Sequence, residues 1–111
     1  MLSVLLDPGL LRNELVLQAS TPVPDGLGGH SEVWNEVGLL FGMIEPVAAN
    51  SIIVADQTLE TVTHRITIRR REDVRSGMRL VKGPRVFAIL TIHDPDETGR
   101  YLVCRVSEEG L

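Results

Sequence analysis

Residues 61–69, Thr-Val-Thr-His-Arg-Ile-Thr-Ile-Arg, alternate strictly along the chain. Val62, His64, Ile66 and Ile68 fall on one face, and Thr61, Thr63, Arg65, Thr67 and Arg69 on the other. A period of two, rich in β-branched residues, predicts a strand with one covered face. Shorter strands are predicted over 14–19, where Leu15 and Leu17 share a face, and over 78–81. Residues 33–46 read as a strand with a kink or bulge near Gly38 and an end at Pro46. Residues 86–94 are a nearly continuous apolar run, expected at the centre of a sheet, and 101–107 form the last strand. Polar turns separate them at 72–77, 82–85 and 94–99. This spacing predicts a mainly β chain: a small antiparallel β-barrel with long loops.

Two stretches fit the pattern less well. Residues 20–32 contain Pro22, Pro24, Gly26, Gly28 and Gly29, which predicts a long loop rather than a helix or central strand. Asp25-Gly26 and Gly28-Gly29 suit tight turns with positive φ, and loops this long are commonly functional. A phosphate cradle is disfavoured, because the lysine and serine of a P-loop are missing; a hairpin loop reaching a neighbouring subunit fits better. Residues 47–60 are ambiguous. Ala48, Ile52, Ala55 and Leu59 recur at helical spacing behind the cap candidates Asn50 and Ser51, whereas Ile52-Ile53-Val54 suits a strand. One short helix or an extended excursion between strands is expected here. Residues 1–12 form an N-terminal lead-in with a turn at Pro8-Gly9, and 13–111 a single β-barrel domain. The lead-in is apolar, but it has no basic start and is broken by Asp7-Pro8-Gly9, so it is not read as a signal peptide.

Composition adds limits. At 111 residues with 43% hydrophobic content, the chain can bury one core. Only 4% is aromatic, so Val, Ile and Leu must build that core, with Phe87, Ile89, Ile66, Ile68, His64 and Trp34 as candidate structural positions. No apolar run approaches the ~18 residues of a membrane helix. A single cysteine, Cys104, excludes an intrachain disulfide. Charge is split unevenly: residues 1–60 carry eight acids and one base, a net of −7, and residues 61–111 carry ten bases and seven acids, a net of +3. Such polarity favours head-to-tail contact between copies.

Catalytic chemistry finds no footing. His30, His64, His93 and Cys104 lack metal-ligand spacing. No Gly-x-Ser-x-Gly elbow supports a triad. Asp94, Asp96 and Glu97 are too few for a calcium loop and read as a solvated turn. Arg69-Arg70-Arg71 invites a phosphate contact, but no aromatics interleave to stack bases. The strand is expected to reach Arg71, so Arg70 points away from Arg69 and Arg71 and the run forms no continuous patch. Neither catalytic residue, cofactor nor metal is expected.

Taken together, Asp25-Gly26-Leu-Gly28-Gly29-His-Ser-Glu-Val-Trp34, Ile44-Glu45-Pro46, Thr63-His64-Arg65-Ile-Thr-Ile-Arg69, Asp73-Val-Arg-Ser-Gly77-Met-Arg-Leu80 and Phe87-Ala-Ile89 resemble, in order and spacing, the head–tail joining (head-closure or stopper) proteins of long-tailed bacteriophages and gene transfer agents. The resemblance spans about residues 9–108. It departs at the first strand, where Arg12 is followed by Asn-Glu-Leu-Val-Leu instead of a basic-aromatic pattern. It implies a connector: a ring of six or twelve copies at the particle neck, assembled in the host cytoplasm, which closes the DNA-filled head and docks the tail. The implied partners are a portal-adaptor protein on the head side, a tail terminator or tail tube protein on the tail side, and non-specific contact with channel DNA, with no membrane. Candidate subunit contacts are Asp25, Gly26, Gly28, Gly29, Arg69 and Arg71. The competing reading is a small barrel, like an OB-fold, that binds single-stranded nucleic acid or an oligosaccharide.

Overall fold

The computed structural model describes residues 8–53 and 59–110. A 3-10 turn at Pro8–Leu10 leads into six strands: β1 Asn13–Pro24, β2 His30–Ile53, β3 Leu59–Arg69, β4 Arg79–Lys82, β5 Arg85–His93 and β6 Tyr101–Glu108. They pair antiparallel in the order β1-β2-β3-β6-β5-β4, and β4 pairs back on β1 through Val16–Val81, Leu17–Leu80 and Gln18–Arg79 to close the ring. The fold is mainly β, as the pattern predicted.

The inward face follows the alternation. Leu15 and Leu17 from β1, Ile66 and Ile68 from β3, Leu80 from β4, Phe87 and Ile89 from β5, and Leu102, Cys104 and Val106 from β6 form one core, closed below by Val74 and Met78. Cys104 is fully buried, and that burial pushes its thiol up to about 12. His64 also lies inward: its ring meets Phe87 edge-on at 5.4 Å, and its Nδ1 is 2.9 Å from Thr63 Oγ1. Trp34 is a correction to the expected core. It is half-buried outside the cluster, with the Arg79 guanidinium 4.0 Å above its ring, because the strand carrying it has left the barrel by that point.

The chief departure from expectation is the length of β2. Its 24 residues run past both ends of the barrel. Beyond Gln18, β1 has only β2 as a neighbour, so residues 19–24 and 30–35 form a two-stranded first arm. The stretch expected to be a long loop is therefore mostly strand, with a tip of only five residues, 25–29. The prolines permit this through their edge. The Asp25 N–H bonds Gly29 O at 3.1 Å. Facing alternates along a strand, so Pro22 and Pro24 turn their nitrogen sides outward, where no ladder bond is lost. At the tip, Gly26 and Gly28 adopt φ of 79° and 84°, a region costly for other residues. The Asp25 carboxylate accepts the Leu27 and Gly29 N–H groups at 2.7 and 3.1 Å.

At the other end, β2 continues through Pro46 instead of stopping there. The register slips between Pro46–His64 and Asn50–Val62, three β2 residues opposing one on β3, and the β1 side of β2 is open beyond Gly42. A bulged edge tolerates proline. Residues 50–53 then pair with 59–62 as a second arm. The helix alternative for 47–60 is overturned over 47–53, where β-pairing overrides the helical spacing; residues 54–58 of that stretch lie outside the described residues. The bulge expected near Gly38 is present as an extra residue, Val37, between the pairs Leu17–Gly38 and Gln18–Glu36.

Between β5 and β6, Arg85 clamps Glu108, donating from Nε at 2.8 Å and Nη2 at 3.0 Å. Arg85 holds the Glu108 carboxyl below the usual carboxylate range. A depressed folded pKa gives stability that is present above the unfolded value and lost as pH falls through the folded one. Glu108→Gln should lower stability by up to about 1 kcal/mol near neutral pH, a figure kept small because the Arg85 side chain is 42% exposed. The gap to the parent should begin to narrow as pH falls through about 4, as read by thermal unfolding across a pH series.

Candidate interaction surface

Pairing between β2 and β3 ends at Gly42–Ile68. One residue further on, β3 ends at Arg69. Next to this end is an open recess of about 500 Å³ lined by Leu11, Leu39, Leu40, Phe41, Arg69, Arg70 and Arg71. The arginine run was expected to alternate outward and inward, but the strand stops at its first member, so all three line one recess. Arg70 pairs with Glu72 at 3.3 Å. Arg71 pairs with Asp73 through two bonds, at 2.9 and 2.8 Å, and donates to Leu39 O at 3.3 Å. That pairing raises the Arg71 pKa and lowers that of Asp73. A Cβ on Gly38 would lie 2.7 Å from Arg71 Nη2, so the glycine opens the space that the guanidinium fills. Arg69 is exposed and makes no ion pair among the described residues.

The apolar wall of this recess is itself exposed. Leu39 and Phe41 alternate on the outward face of β2 and are 54% and 51% exposed. Both arms carry further exposed apolar groups: Val23, Leu27 and Val33 on the first, and the paired Ile53 and Leu59 on the second. Leu27, at the tip, is 90% exposed. Apolar surface of this kind marks contact sites. The candidate contacts therefore sit at two separate places, Asp25, Gly26, Gly28 and Gly29 at the tip and Arg69 and Arg71 in the recess. Sequence reasoning missed Leu27, Leu39 and Phe41. The signal was available, since 39–41 are apolar on both faces of one strand.

The acidic turn spends its carboxylates on itself. Asp94 accepts the Asp96 and Gly99 N–H groups, and Asp96 accepts from Thr98. The Thr98 hydrogen bonds lower the Asp96 pKa. Among the described residues, no group of three His, Cys, Asp or Glu side chains is arranged to hold a metal ion. No helix there is long and apolar enough to cross a membrane.

No curated protein matches the chain. Among solved structures, a chain of the virion of the native gene transfer agent particle is similar at 28% identity and a TM-score of 0.67, over 89% of this chain and 94% of that one. The solution structure of protein SF1141 from Shigella flexneri 2a is similar at 25% identity and a TM-score of 0.62, over 92% and 97%. A family model described as phage head completion protein matches residues 6–109. The chain belongs to the phage head completion protein family and serves as a structural component of the virion.

Proposed function

We propose that this protein is a connector subunit that forms a homo-oligomeric ring, of six or twelve copies, at the neck of a phage or gene-transfer-agent particle. There it closes the DNA-filled head and offers a docking surface to the tail. Residues 13–111 act as one connector domain and 1–12 as its lead-in. The portal-adaptor protein meets the ring on the head side, and the tail terminator or tail tube protein on the tail side. DNA in the channel makes only backbone contacts, which need no base readout.

The observation that carries this reading is the pair of two-stranded arms with exposed Val23, Leu27, Val33, Ile53 and Leu59. A free monomer gains nothing from holding such groups in water, whereas a subunit enclosed by neighbours buries them. The barrel reading for single-stranded nucleic acid lacks its stacking platform. Phe87 and Tyr101 are buried and Trp34 lies under Arg79, which leaves Phe41 alone. Two measurements test the proposal. Electron microscopy of purified particles should find this chain as a ring at the neck. Particles made without it should be tailless and should have lost their DNA. Complete, tailed, DNA-filled particles in its absence would sink the assignment.

A further inference from the structure

We infer that the first arm of one copy seats Leu27 in the Leu39–Phe41–arginine recess of a second copy, which makes this contact the repeating link of the assembly. The inference rests on the ring reading above and adds its partner and its residues. Leu27 is the most exposed large apolar side chain in the described structure, at 90%, and it stands on a tip whose backbone is tied by the Asp25 carboxylate. The recess offers an apolar wall, Leu39 and Phe41, with the room for a branched side chain.

Charge selects the same pairing. Residues 18–37, the arm and its base, carry Asp25, Glu32 and Glu36 and no lysine or arginine. The recess carries three arginines, two matched by Glu72 and Asp73 and one, Arg69, without a partner among the described residues. An acidic arm entering there supplies the missing anion. With Pro22 and Pro24 on its outer edge, the arm cannot extend another sheet from that side, so it engages by its tip and side chains. The contact cannot form within one chain. His30 and Phe41 are eleven residues apart on one strand, roughly 36 Å at ~3.3 Å per residue. Tip and recess are different patches, so the contact is heterologous and repeats from copy to copy until it closes.

The test is disulfide trapping in assembled particles that carry Leu27→Cys together with Phe41→Cys. Both positions are on the surface, and the native Cys104 is fully buried, so background oxidation is low. After mild oxidation, a non-reducing gel should show a ladder of covalent multimers containing most of the chain, and each single variant should stay monomeric. Three results would overturn the inference: dimers from a single variant, which mean a symmetric contact; cross-links from Phe41→Cys to a different virion protein; or no ladder in particles that are complete and tailed. The last leaves the head-completion role standing, whereas absence of the chain from the particles removes the ring reading as well.

Discussion

Phe87→Ala should remove about 3–5 kcal/mol of folding stability. Phe87 is the largest of the fully buried side chains. It lies on β5 between its two register partners, Leu80 on β4 and Glu108 on β6. Its ring meets the His64 ring edge-on at 5.4 Å, and the Arg85 guanidinium lies 4.8 Å from its centroid. Truncation opens a cavity, strands a buried imidazole without its aromatic neighbour and loosens the arginine that clamps Glu108. The neighbours are held by ladder bonds from both sides, so the site cannot collapse to fill the space, and the cost belongs at the upper end of the range. For a chain of this length that is a fall in Tm on the order of 15 °C. Urea titration should show a lower midpoint with an unchanged slope. A loss under about 1 kcal/mol would mean that Phe87 does not pack as described. Phe87→Leu keeps most of the volume and should cost far less.

The opposite error, too much volume, should be nearly as damaging at Gly42. This residue is the junction of β2 with both neighbours, paired with Asn13 on β1 and Ile68 on β3. A Cβ there would lie 3.0 Å from Ile66 Cγ2, 3.0 Å from Leu15 Cδ1 and 3.2 Å from Ile68 Cγ2. All three belong to the core and are fully buried, so none can swing into solvent. Gly42→Ala needs a shift of a few tenths of an ångström and should cost about 1 kcal/mol; Gly42→Leu should cost about 3 kcal/mol or more, or fail to give soluble protein. The same titration reads both. A Gly42→Leu variant as stable as the parent would show that the core has slack that these contacts deny.

Much of the barrel could be read from periodicity. The alternation through Val62, His64, Ile66 and Ile68 gave β3 its inward face, and the run from 86 to 94 marked a strand flanked on both sides. Those signals survive because a closed core enforces one face per strand. The arms were hidden for the complementary reason. A two-stranded ribbon has free edges, so Pro22 and Pro24 are no longer strand breakers there, and its composition imitates a loop; Pro46 is tolerated because β2 has no β1 neighbour beyond Gly42. The arginine run was misjudged because its geometry depends on where β3 ends, a boundary that local sequence does not mark. Trp34, expected as a core anchor or lid, lies beyond the last β1–β4 pair and so outside the core cluster.

The span of β2 has a mechanical consequence. One unbroken backbone runs from the base of one tip, through the barrel wall, to Ile53 at the other end. Opposite pulls on the two arms would travel along that backbone and load its hydrogen bonds to β1 and β3 sideways and together, not one after another as in peeling. A subunit gripped at both ends therefore resists tension with its whole ladder in parallel. That makes the rate of forced unfolding the durability to measure.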